Sequence, residues 1–142
     1  MPEVTLPESP YDAHLGTEWI SEDPDGARLR LTMGDHHRQP MGIMHGGVMA
    51  SMIESLCSRA TAIAVVPEGR VAMGQGISVN LLRPVSSGGI EVEAQAVHRG
   101  RMTWVWRAEV KDFEGRVCAI GQMTMAVREA PAGADLSALV KP

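Results

Sequence analysis

At 142 residues, 44% of them hydrophobic, and with a formal net charge of −4, the chain has the material for one domain with its own core. No basic cluster dominates, which argues against nucleic acid as the main partner. Cys57 and Cys118 stand outside any metal-ligand spacing; they read as two reduced core thiols of a cytoplasmic protein, with neither a metal site nor a disulfide framework.

The first stretch, residues 1–16, lacks the basic and apolar blocks of a signal peptide. It reads as an irregular arm or short helix anchored by Tyr11, His14 and Leu15. Thr17 to Ser21 and Ala27 to Met33 read as strands around the turn Asp23-Pro24-Asp25-Gly26. Gly34 to Met44 is a loop, with His36 and His37 expected in solvent. From Val48 to Val66 there is no Gly or Pro, and Ala, Met, Ile and Leu are plentiful. That composition predicts a helix of about five turns, apolar on every side and therefore buried all round. Glu54 and Arg59 within it mark a core helix rather than a membrane span.

Glu54 is the only acid between Asp35 and Glu68, with Ser51 and Ser58 near it on one helical face. A carboxylate on a buried helix needs a partner, and perturbed acids cluster at functional sites. Ahead of the helix stands His45-Gly46-Gly47. The glycines allow close backbone approach, and first-turn N–H groups are unpaired at the positive end of the helix dipole. Together these make a carbonyl or oxyanion site about two turns from a carboxylate. A Gly-Gly pair also serves as a tight turn and a lone Glu is usually solvated, so these residues alone leave site and scaffold both open.

After Pro67-Glu68-Gly69 strands dominate. Val71 to Leu82 bends at Gly74 and Gly76; Gly89 to His98, Met102 to Lys111 and Arg116 to Arg128 alternate apolar and polar residues, joined at Arg99-Gly100-Arg101 and Asp112-Phe113-Glu114-Gly115. Trp104 and Trp106 read as core or interface. Residues 129–142 read as a mobile tail. The order β-β-α-β-β-β-β gives an α+β fold, an antiparallel meander around one helix, occupying residues 17–128. Its uncovered edges predict pairing with a second copy.

The stretches GIMHGGVMASMIESLCSRA, GQGISVNLLRPV and VHRGRMTWVWRAEVKDFEGRVCAIGQMTMAV resemble the hot-dog-fold acyl-CoA thioesterases of the PaaI type, over roughly Asp35 to Val127. The glutamate-using branch of that family, which includes hydroxybenzoyl-CoA and arylacyl-CoA thioesterases, places its motif on Gln39, His45, Gly46, Glu54 and Ser58. The resemblance implies a long central helix wrapped by five to six antiparallel strands, and thioester hydrolysis without a cofactor, CoA being part of the substrate. It gives the Gly46 N–H the task of polarising the carbonyl. Glu54 would be base or nucleophile, Ser58 would orient water or the carboxylate, and Gln39 and His45 would lie beside the carbonyl and leaving sulfur. It implies an acyl-CoA partner bordered by Gly47, Asn80, Arg83, His98, Arg99 and Arg101, in a homodimer or a homotetramer built as a dimer of dimers. From the residues alone His45 is equally a loop anchor, Asn80 a strand-end hydrogen-bonder, and the basic hairpin a solvated tip. Met44, Met49, Met52 and Met73 line an adaptable acyl pocket or fill gaps. A non-catalytic acyl-CoA-binding regulator and a hydratase or dehydratase on the same fold remain the alternatives.

Overall fold

The computed structural model describes residues 3–141. The elements are β1 (Glu3–Val4), α1 (Pro10–Leu15), β2 (Thr17–Ser21), β3 (Ala27–Thr32), α2 (Gly46–Val65), β4 (Arg70–Leu81), β5 (Gly89–Arg99), β6 (Thr103–Asp112), β7 (Val117–Glu129) and β8 (Val140–Lys141). Six strands pair antiparallel in the order β2-β3-β5-β6-β7-β4, and α2 packs against one face of the sheet. This is the expected α+β architecture of one long helix in an antiparallel wrap.

The helix begins at Gly46, two residues before the expected Val48, because His45 caps it. It ends at Val65, where Pro67 forces a 3-10 turn over Val66–Glu68 and Gly69 closes it in the left-handed region at φ 76°. Met52, Ile53, Leu56 and Ala60 face the sheet and are wholly buried against Leu29, Leu31, Val92, Trp106, Val110 and Met125. Met44, Met49 and Met52 belong to this core, whereas Met73 lies exposed on the outer face of β4; the four do not form one pocket. One polar chain crosses the core. Trp106 Nε1 donates to Thr61 Oγ1 at 2.9 Å, and Thr61 donates to the Cys57 carbonyl at 2.7 Å. Trp104 and Trp106 are core residues. By length and hydropathy α2 with its 3-10 extension is able to cross a membrane, yet its apolar face is occupied by the sheet.

Three expectations are corrected. The helix is not buried all round: Glu54 is exposed, and Ser51 and Ser58 are half-buried. The C-terminal stretch is tied down, since β8 pairs with β1 and the Thr5 N–H donates to Leu139 O at 2.9 Å. His37 is no loop histidine in solvent but is 1% exposed.

The N-terminal arm is docked on α2 by specific bonds. Ser9 caps α1 and Gly16 ends it at φ 81°. Ser55 Oγ donates to the buried Asp12 Oδ1 at 2.6 Å, and Arg59 donates to the Leu6 and Pro7 carbonyls at 3.0 and 3.2 Å. Arg59 also pairs with Glu22 and lies over the Trp19 ring.

Candidate active site

The loop ahead of α2 is held by its own backbone and by one buried histidine. His37 Nδ1 accepts from the Gly34 N–H at 2.9 Å, and Nε2 lies 2.7 Å from Leu15 O, to which it donates. Burial pulls the His37 pKa below the ordinary histidine value, although the bond to Leu15 O opposes it. The His37 carbonyl then accepts from the His45 N–H at 2.7 Å, so the segment before the helix is fixed at two depths. Gln39 and Gly42 close a tight turn in which the Gln39 side-chain oxygen accepts from the Met41 N–H.

His45 is the N-cap of α2, and its Nδ1 accepts from the Gly47 N–H at 2.8 Å. This bond gives His45 the anchoring role. It also occupies the Gly47 N–H, so Gly47 is no free donor for a ligand. Among the described residues nothing accepts from the Gly46 N–H. Gly46 therefore offers an unpaired donor at the positive end of a 20-residue helix. A Cβ on Gly46 would lie 2.3 Å from Leu81 Cδ1, so the end of β4 closes against this donor.

Two turns along, Ser58 Oγ donates to Glu54 Oε1 at 3.1 Å, and Met125 Sδ lies 3.7 Å from the same hydroxyl. Glu54 and Ser58 thus form a pair on the open flank of α2, with Ser51 bonded instead to Tyr11 at 2.6 Å. The edge strand β4 runs beside this flank, from Gly74 next to Glu54 to Leu81 next to Gly46. The chemistry available is a carboxylate oriented by a hydroxyl, and a separate backbone donor.

The remaining predicted residues are spread out. Asn80 pairs with Ile120 on the outer face of the sheet, away from the helix, and lines a groove of about 570 Å³ with Arg107, Gln95 and Gln122. The sheet separates that groove from Glu54. Arg83 is exposed beyond the end of β4. His98, Arg99 and Arg101 sit at the β5–β6 turn, at the opposite end of α2 from Gly46. There Arg99 pairs with Asp25 and lies over the Trp104 ring, while the Arg101 carbonyl accepts from Arg70 at 2.6 Å. Arg70, Arg99 and Arg101 line a groove of about 460 Å³ with Glu68, Trp104 and Glu129. Gly74 was legible only as a bend; a Gly-x-Gly inside a strand pattern also signals a bulge and close approach to another group.

Residues 41–119 match the Thioesterase superfamily, which is more than half the chain. The chain belongs to the thioesterase superfamily. This thioesterase is 31% identical over 114 residues to the proofreading thioesterase EntH of Cronobacter turicensis, covering 80% of this chain and 82% of that one. Its structure is similar to the crystal structure of thioesterase HI1161 from Haemophilus influenzae, with a TM-score of 0.81, 28% identity, and coverage of 88% and 87% of the two chains. A mutant of thioesterase PA1618 from Pseudomonas aeruginosa superposes with a TM-score of 0.78 at 29% identity, over 82% of this chain and 84% of that one. The fold is therefore the hot-dog fold, and the protein is a thioester hydrolase.

Proposed function

We propose that this thioesterase hydrolyses acyl-CoA, carrying an aryl or medium-chain acyl group, in the cytoplasm and without a cofactor. The observation that carries the reading is the Glu54–Ser58 pair on the one open flank of an otherwise covered helix. Thioester hydrolysis needs a donor where negative charge develops on the carbonyl oxygen, and a carboxylate within reach of the carbonyl carbon or of a water. Glu54 delivers the nucleophile, either by taking a proton from the attacking water or by adding to the carbonyl itself and then yielding to water. In both routes the C–S bond breaks, the thiolate leaves and is protonated, and the products are acid and CoA. Ser58 holds the carboxylate by the bond it donates.

The donor supporting Glu54 comes from a second copy. Gly46 and Glu54 are eight residues apart, about 12 Å along a helix at 1.5 Å per residue. With the Glu54 carboxylate held by Ser58, four residues further from Gly46, a carbonyl bonded to the Gly46 N–H of the same chain is poorly placed to meet it within about 3.5 Å. The edge strand supplies the means of pairing: β4 is 12 residues long, exposed over most of its length, and carries Ile77 and Leu81 at 44% and 58% exposure. Antiparallel pairing of two such edges about an axis near Ile77 brings Gly46 of one chain beside Glu54 of the other. A homodimer is thus the unit that contains a site, and the dimers pair again into a tetramer.

Gln39 spends its side-chain oxygen on Met41, which leaves its amide N–H to face the carbonyl, with His45 near the sulfur. Ile77 and Leu81 border the acyl group in place of the buried methionines. His98, Arg99 and Arg101, joined by Arg70, suit the phosphates of CoA as guanidinium and imidazole donors. The test is release of free thiol from a panel of aryl- and medium-chain acyl-CoAs. Glu54→Ala is expected to lower kcat by about two orders of magnitude or more. Near-normal hydrolysis by that variant would refute the site. Tight binding of a CoA ester without turnover by the wild type would instead support a ligand-sensing role.

A further inference from the structure

The N-terminal arm docks on α2 in the row next to Glu54. Tyr11 Oη lies 2.6 Å from Ser51 Oγ, Ser55 donates to Asp12, and Arg59 donates to the Leu6 and Pro7 carbonyls. Ser51, Ser55 and Arg59 recur at every fourth residue, so the arm runs along a single stripe of the helix. Glu54 and Ser58 stand three residues on from Ser51 and Ser55, and helical residues at that spacing have Cβ atoms about 5–6 Å apart. Glu54 therefore stands between the arm and β4, which approaches it at Gly74.

The Tyr11 contact is unlike the rest of this docking. Asp12 and Ser55 are 7% and 9% exposed, and the Leu15 carbonyl is held by the buried His37. Tyr11, by contrast, is 54% exposed, and Ser51 is half-buried. Two hydroxyls carry two hydrogens and share one bond, so whichever donates, the O–H of the other stays unspent. A serine within a helix is able to return its hydrogen to the carbonyl four residues back, as Thr61 does to Cys57. Among the described residues Ser51 makes no such bond. The arm is anchored elsewhere, and the pair turns a donor, an acceptor and a phenol ring towards solvent at the edge of the Glu54 flank.

We infer that Tyr11 is a specificity-determining residue: its exposed ring and the unspent O–H of the Tyr11–Ser51 pair border the acyl group, and they select aryl groups that carry an oxygen substituent. This rests on Glu54 being the group that acts on the thioester. The thioester carbon meets the Glu54 carboxylate at about 3–3.5 Å, which puts the atoms beyond it within reach of a hydroxyl pair one helical turn away. The Tyr11 ring offers its edge or face to an aryl group, and the unspent O–H meets an oxygen on that group. An unsubstituted ring covers the pair without satisfying it, and a polar group denied its bond counts against the complex.

The experiment measures kcat/KM by thiol release for benzoyl-CoA and for meta- and para-hydroxybenzoyl-CoA, in the wild type, Tyr11→Phe and Arg59→Met, with thermal melting alongside. Comparing one pair of substrates across variants cancels their intrinsic reactivity. The better hydroxylated substrate is expected to exceed benzoyl-CoA about tenfold in the wild type, and Tyr11→Phe should bring the ratio close to one. Arg59→Met loosens the arm without touching the pair, so it should lower the melting temperature and leave the ratio at its wild-type value. A wild type without the preference overturns the inference, as does an unchanged ratio in Tyr11→Phe. An equal shift in Arg59→Met also overturns it, because the arm's docking rather than the hydroxyl would then set the ratio. Full turnover by Glu54→Ala would sink the reading of Glu54 itself, whereas an inactive Glu54→Ala beside an unchanged Tyr11→Phe ratio sinks this inference alone.

Discussion

The separation between Gly46 and Glu54 allows a test of whether two chains share each site. Gly46→Pro removes the proposed donor with little backbone penalty. Proline is favoured at the first helical position, where its missing N–H breaks no helical bond. His45 already has φ −63° and ψ 128°, the extended conformation that a residue before proline prefers. The obstacle is Leu81, whose Cδ1 stands 2.3 Å from a Cβ at this position; Leu81→Ala in the same chain clears it. Loss of a donor of this kind costs about a hundred- to a thousandfold in kcat. Chains carrying Gly46→Pro with Leu81→Ala, and chains carrying Glu54→Ala, are each expected to be nearly inactive alone. Co-expressed in equal amounts they assemble at random. A site that takes Glu54 from one chain and Gly46 from another is then intact with probability one half times one half, about a quarter of all sites. Thiol release by the mixture, normalised to Leu81→Ala alone, should return to about that fraction. If the mixture stays as inactive as its parents, the two chains do not share a site.

Two further outcomes concern the scaffold. Thr61→Val leaves the buried Trp106 N–H without its acceptor, a loss of about 1–3 kcal/mol. At an unfolding entropy of about 0.3 kcal/mol/K for a chain of this length, the melting temperature falls by roughly 3–10 °C. Adding Trp106→Phe removes the stranded donor, so the double variant should lose less than the sum of the two single ones; strict additivity would disprove the bond's importance. His37 sets a pH dependence. Because its pKa in the fold lies below the ordinary value of 6.5, the unfolded chain takes up the proton first as pH falls. Its contribution is complete above about pH 6.5 and declines below it. His37→Gln retains a donor and an acceptor without a titrating ring, and calorimetry should find a shallower fall in its melting temperature between pH 7 and 5. Parallel curves would refute the assignment.

The helix, the four strands after it and the motif carrying Glu54 and Ser58 were legible because each rests on local periodicity or spacing. The capping of Gly47 by His45 was half legible: the histidine stood at the right place, but which N–H it takes depends on the loop geometry fixed through His37. His37 itself was misread, since a polar loop position gives no sign that α1 will cover it. The openness of the Glu54 flank was missed for a related reason. Apolar residues all round α2 signal burial, and in one chain part of that burial is unmet, because β4 is an edge and does not reach across. Asn80 is a matter of parity: its alternation with Val79 puts it on the outer face, a register that only the pairing with β7 decides.

Cys57 and Cys118 are both free and buried, and burial pushes both thiols above the ordinary cysteine range. Neither presents a thiolate to solvent in the folded chain. A chromogenic disulfide reagent therefore reads released CoA against a silent protein background, with no need to block cysteines. Any variant that fails to fold announces itself in the same cuvette, as a burst approaching two equivalents of thiol per chain before substrate is added.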